Sequence, residues 1–169
     1  MSPHMSFVKL NLDGLHTLQR QAEELGGLRA QVGLFQETAG RSVKRAGRID
    51  NNPQLGSIHE LGTSYSILST GATVVIPARS FLNMPLTLKL GETLLTNAAN
   101  WFKLLHTRGA KRTMQFLGVV GEEIVQEAFA TRGFGFWPAL RPRTIARKNS
   151  TAILIESVQF RKAISSRVV

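Results

Sequence analysis

The alternation of apolar and polar positions divides this chain into short segments of two different periods. After Asp13-Gly14, residues Leu15, Leu18, Ala22 and Leu25 recur at three- and four-residue steps, which predicts an amphipathic helix capped by Asp13 and ended by Gly26-Gly27. "LRAQVGLFQ" then alternates through Leu28, Ala30, Val32 and Leu34, the period of a half-buried strand. Behind Pro53, helical spacing returns at Leu55, Ile58 and Leu61, and Gly62 stops it. "ATVVIPA" is β-branched and lies between Gly71 and Pro77, so it reads as a strand that enters a turn.

The longest periodic stretch follows Pro85. Leu90, Leu94, Ala98, Trp101 or Phe102, and Leu105 predict a helix over 86–107; Met114, Leu117, Val120, Ile124 and Ala128 predict a second over 111–130. "TRGAK" joins them, which makes them an antiparallel pair. "RGFGFWPALRPRT" breaks all periodicity and is an irregular connection. Beyond it the pattern predicts a helical turn after Pro142, a short apolar run "AILI", a helix through Val158, Phe160 and Ile164, and an edge strand "SSRVV". The polar, glycine-dotted stretch 37–52 reads as an exposed loop or hairpin tip. Together these elements predict an α+β fold: a small, mostly antiparallel sheet with the two long helices packed on one face. A single domain spans 1–169, with residues 1–5 as a leader.

Composition narrows the chemistry. With 169 residues and 43% hydrophobic content the chain is long enough to bury one core. The absence of cysteine excludes disulfides, thiol nucleophiles and cysteine-containing zinc sites. No stretch approaches the ~20 apolar residues of a membrane helix, and the N-terminus lacks the regions of a signal peptide, so no membrane partner is expected. The 21 Lys and Arg outnumber 11 Asp and Glu, and the excess is uneven. From Arg132 to Val169 there are eight bases against one acid, Glu156. Such a patch suits a polyanion or an acidic protein surface.

Catalytic patterns are incomplete. His59-Glu60 begins like the zinc-protease motif, but the second histidine would fall on Thr63. "GTSYS" lacks the second glycine of a nucleophile elbow, and no phosphate-binding or dinucleotide-binding glycine loop is present. Glu23-Glu24 and Glu122-Glu123 are adjacent on helices and point about 100° apart, which suits solvated surface better than a catalytic dyad. The expectation is a protein without enzymatic activity, cofactor or metal. "GFGFWPALRPRTIARK" interleaves Phe134, Phe136 and Trp137 with Arg141, Arg143, Arg147 and Lys148; it reads either as a loop anchored on the core or as a nucleic-acid surface.

Three of these pieces, in order, resemble the neck and tail-completion proteins of tailed bacteriophages. "GSIHELGT" supplies Ile58, His59, Glu60, Gly62 and Thr63 of a first motif, with Leu61 where phenylalanine is common. "IPARSFL" supplies Ile76, Pro77, Ala78, Arg79, Phe81 and Leu82 of a second, with Ser80 in place of proline. "WPALRPRTIARK" supplies Trp137, Pro138, Leu140, Thr144, Arg147 and Lys148 of a third, and "ILIESVQFRKAI" is a weaker fourth. The resemblance implies a virion protein made in the bacterial cytoplasm. It would assemble as a homo-oligomeric ring at the head-tail junction, six-fold rather than twelve-fold. Its partners would be the adjoining head-connector and tail-tube or terminator proteins and, non-specifically, the genomic DNA in the channel. Arg141, Arg143, Arg147, Lys148, Arg161 and Lys162 are the candidate DNA or ring contacts, with loop 37–52 and strand 165–169 reaching a neighbour. Arg79 is expected to pair with Glu60, the only acid between Asp50 and Glu92, rather than to face a channel. The alternative is a nucleic-acid-binding protein using the patch from Arg132 to Arg167. A third reading, a hydrolase built on His59 and Glu60, would require turnover that His59→Ala abolishes.

Overall fold

The computed structural model describes residues 12–36, 43–45, 48–148, 151, 153 and 158–169. Helix α1 (Asp13–Gly27) leads into strand β1 (Ala30–Leu34), followed by a short pair, β2 (Val43–Arg45) and β3 (Arg48–Asp50). Next come α2 (Asn52–Leu61), β4 (Thr63–Ser66) and β5 (Thr73–Ile76). Helices α3 (Asn83–Thr96) and α4 (Ala98–Ala130) form the helical body, and α5 (Pro142–Lys148), α6 (Val158–Lys162) and β6 (Ile164–Val168) close the chain. The fold is α+β, and every strand pairing is antiparallel.

Among the described residues the strands do not join into one sheet. They form three separate pairs, β1 with β6, β2 with β3, and β4 with β5. The first lies under α4: Gly118 and Gly121 of α4 have no side chain, and a β-carbon there would meet Ser166 and Val32 at 2.7 and 2.8 Å. The small residues let α4 approach the β1–β6 pair closely. β6, the candidate for reaching a neighbouring subunit, pairs along its length with β1 of its own chain, from Ala30 opposite Val168 to Leu34 opposite Ile164. Reciprocal bonds between Arg29 and Val169 extend the ladder. Of loop 37–52, residues 43–45 and 48–50 form a hairpin pair, Asn51 caps α2, and Asn52 is buried. Residues 37–42 and 46–47 lie outside the described residues.

The long helices hold their expected faces and turn within 107–111 as expected, but a further break divides the first of them. The stretch assigned to a helix over 86–107 is interrupted at Asn97, whose side chain donates to the Thr93 carbonyl at 3.0 Å. The second break is at Gly109, with φ 77° and ψ 173°, inside α4. In a continuous helix Trp101 and Phe116 would stand ~22 Å apart. Their rings meet at 5.9 Å, so the chain doubles back at Gly109 into two limbs, 98–108 and 110–130. The antiparallel pair is therefore formed by the two limbs of α4. Trp101 is half-buried and Phe102 turns outward.

Asp13 is not the cap of α1; Leu12 occupies that position without a side-chain bond, and Asp13 lies in the first turn. Leu61 points away from the core at 77% exposure, and Ile164 belongs to β6 rather than to the helix before it. The core is a cluster of Phe81, Val125, Ala128, Phe129, Trp137, Ile153, Phe160 and Ile164. Phe81, Phe129, Trp137 and Phe160 meet through edge and tilted ring contacts at 5.3–6.3 Å. Such arrangements add to the area they bury.

Candidate functional site

The three motifs singled out in the sequence converge on one joint beside this aromatic core. Gly62 makes the first turn possible: its φ is 73°, and a β-carbon there would lie 2.7 Å from the Ala78 amide nitrogen. The close approach lets the Arg79 amide donate to the His59 carbonyl at 2.7 Å, tying the end of α2 to the chain leaving β5. Ile76 is the last residue of β5, and Pro77 follows without a donor for the ladder.

Glu60 does not pair with Arg79. Its carboxylate lies at the start of α3, where Oε1 accepts from the Ser80 hydroxyl at 2.6 Å and the Asn83 amide at 3.0 Å. Oε2 accepts from the Phe81 and Leu82 amides at 2.7 and 3.0 Å. The physical reason is a demand for an acceptor, which outweighs the attraction of a neighbouring arginine. A helix begins with unpaired amides and a positive dipole end, and α3 has Leu82 at its N-cap with no side chain able to serve them. Glu60 supplies the missing acceptor from twenty-odd residues upstream, and Ser80 Oγ takes a further amide, that of Met84, at 2.9 Å.

Arg79 is buried and turns the other way. Its Nε donates to the Pro138 carbonyl at 3.0 Å, and a terminal guanidinium nitrogen donates to Ala139 at 3.3 Å. Burial pushes its pKa below the ordinary arginine value, while the guanidinium stays charged. A planar fork holds its donors at a fixed geometry toward two successive carbonyls, which a flexible ammonium does not. Between them the Ser80 carbonyl accepts from the Trp137 indole at 2.9 Å. The second and third motifs are thus bonded through three contacts.

The turn that presents Trp137 is costly. Arg132, Gly133, Phe134 and Gly135 all have positive φ, from 53° to 84°. Non-glycine residues there cost roughly 1–2 kcal/mol each. Gly133 is required for packing as well, because a β-carbon would lie 2.3 Å from the Trp137 indole. Amide bonds from Gly133 to Ala128 and from Trp137 to Arg132, with Phe134 donating to the Thr131 hydroxyl, hold the turn.

The remaining candidates fall into place around this joint. Ile58, His59, Ile76, Pro77, Leu140 and Thr144 are half-buried, and the His59 ring meets Phe160 edge-on at 6.0 Å. Pro138 is exposed apart from its bonded carbonyl. Among the described residues no three histidine, aspartate or glutamate side chains gather as a metal site, and no helix is long and apolar enough to cross a membrane. Comparison with protein-family models, curated proteins and solved structures finds no match to this chain.

The basic candidates differ in their surroundings. Arg132, Arg141, Arg143 and Lys162 are exposed. Arg161 is committed to Gln126, donating from Nε to its side-chain oxygen and receiving a 3.1 Å bond from its amide group at the Arg161 carbonyl. Arg167 donates to Gln31 at 2.9 Å and lies over the Phe35 ring. The side chains of Arg147 and Lys148 lie outside the described residues. Sequence reasoning missed the roles of Ser80 and Gln126; the first was visible as a hydroxyl standing beside an uncapped helix start.

Proposed function

We propose that this chain is a structural subunit of a tailed-phage virion, assembling as a ring at the head-tail junction and surrounding the channel through which DNA leaves. One observation carries the reading: the residues of the three resembling motifs meet in a single joint, and their polar groups are spent on the backbone. Glu60 holds the start of α3, while Arg79 and the Trp137 indole lock the following turn to it. A carboxylate accepting four bonds and a guanidinium tied to two carbonyls serve shape rather than turnover. The test is genetic and microscopic. Phage lacking this reading frame should yield DNA-filled heads with no tails attached, and supplying the protein in trans should restore joining. Normal, infectious particles from the deletion would overturn the proposal.

The exposed Arg141, Arg143 and Lys162 would then meet an acidic neighbouring ring or the DNA path. Duplex affinity of the isolated subunit that falls steeply with rising salt would instead favour a nucleic-acid-binding protein.

A further inference from the structure

The second limb of α4, residues 110–130, carries an exposed pattern that its own fold only partly explains: Phe116 meets Trp101 of the first limb edge-on at 5.9 Å, and the rest of the stripe has no such contact among the described residues. Arg112, Phe116, Val119 and Glu123 are exposed, Phe116 to 54% and Val119 to 45%. At 100° per residue these four positions fall within about 60° of arc, so they form one stripe along the limb. Gly118 and Gly121, which approach the β1–β6 pair, lie on the opposite side. The order along the stripe is basic, apolar, apolar, acidic.

That order opposes the helix's own electrostatics. Lys111 and Arg112 occupy the first turn of the limb, where unpaired amides favour acids, and Glu127 stands in its last turn, where cations are favoured. Arg112 makes one side-chain contact, to Gln115 at 3.3 Å, and Glu123 makes no ion pair among the described residues. The sequence is also symmetric about the midpoint between Phe116 and Val119. Laid antiparallel on a copy of itself, the stripe sets Arg112 opposite Glu123 and Phe116 opposite Val119, twice over. Each basic end then lies at the acidic end of the other limb, which relieves the unfavourable dipole arrangement.

We propose that the outer face of limb 110–130 binds the same face of a second copy of this chain, antiparallel and two-fold symmetric. Such a contact closes at two subunits and is distinct from the head-to-tail contact that builds a ring. It therefore does not depend on the virion reading; in a ring-forming protein it would join two rings, or pair subunits before assembly.

Charge reversal tests the register. Arg112→Glu places an acid opposite an acid at both ends of the contact, and Glu123→Arg places a base opposite a base. Each single variant should weaken the pairing by about tenfold or more and lower the sedimenting mass by half. In an equimolar mixture of the two variants, the all-acidic stripe of one chain meets the all-basic stripe of the other, and the wild-type mass should return. A mass shared by the wild type and both single variants would overturn the proposal, as would a mixture that stays at the mass of its components. The absence of cysteine gives an independent readout. When Phe116→Cys and Val119→Cys chains are mixed under a mild oxidant, unlike chains should crosslink faster than like chains; equal rates would also overturn it.

Discussion

The joint around Glu60 and the helix α1 differ in nearly every way that matters for stability. In the joint, Phe81 and Val125 are fully buried, and Glu60, Ser80, Arg79 and Trp137 are bonded across segments up to sixty residues apart. Helix α1 has fifteen residues and buries none of them. It has no side-chain cap, and Leu15 on it is 61% exposed. Both regions are built from amphipathic sequence of ordinary helical period. The difference lies in what the apolar face meets: an aromatic cluster closed from several directions, or chiefly the side of α4. A joint fastened by long-range contacts should open only with the whole domain, while a helix laid on one neighbour can open locally.

The largest expected effect is from Phe81→Ala. It removes the centre of the ring cluster and leaves a cavity bounded by Phe129 and Phe160. The loss should be about 3–5 kcal/mol, a fall in melting temperature on the order of 10 °C by calorimetry. A loss as small as that of an exposed leucine would show that the cluster is not the core. Glu60→Ala comes next. It leaves the amides of Phe81, Leu82 and Asn83 without their acceptor at a partly buried helix start, at about 3 kcal/mol. Glu60→Gln keeps an acceptor without the charge and should recover part of the loss. If both variants melted with the wild type, the cap would contribute nothing.

How much of this contrast was legible in the sequence depends on the range of the interaction. The periods of α1, β1, α2 and both limbs of α4 are local properties, and the elements formed close to where periodicity placed them. The α+β class followed from them. The Glu60–Arg79 pair was wrong because opposite charges in one neighbourhood invite pairing, while the competing partners were backbone groups, which sequence does not display. One signal was present: Leu82 is a poor N-cap, and α3 has no Ser, Thr, Asp or Asn at that position, so a distant acceptor was needed. The break at Asn97 and the division of the strands into three pairs gave no comparable signal, since both depend on how α3, α4 and the β1–β6 pair stack.

Two glycines refine the comparison within one chemistry. Gly62 and Gly109 both have positive φ, 73° and 77°. At Gly62 a β-carbon would strike the Ala78 backbone at 2.7 Å, whereas at Gly109 the nearest atom is the Gln21 side-chain nitrogen at 3.9 Å. Both also have ψ near 180°, 169° and 173°, a region essentially reserved for glycine, so Gly109→Ala should cost that backbone strain alone, about 1–3 kcal/mol, and Gly62→Ala the strain plus the clash. Denaturant midpoints measure both. Equal losses would mean that the contact between α2 and the end of β5 yields freely, and that the joint is looser than its hydrogen bonds suggest.

The smallest effect is the one that most directly tests the other region. Leu15→Ser removes an apolar side chain that is mostly in water already, so global stability should change by less than about 0.5 kcal/mol. Hydrogen exchange provides the sharper reading. Amides of α1 should exchange through a local opening well below the free energy of global unfolding, and Leu15→Ser should speed them without altering those of 110–130. Protection in α1 equal to that of the central limb would break the comparison, because it would mean that a helix with no buried residue opens only with the whole domain. Its partly covered residues, Leu18, Gln21 and Leu25, on the helix that packs against α4, would then hold it as firmly as the aromatic cluster holds the joint.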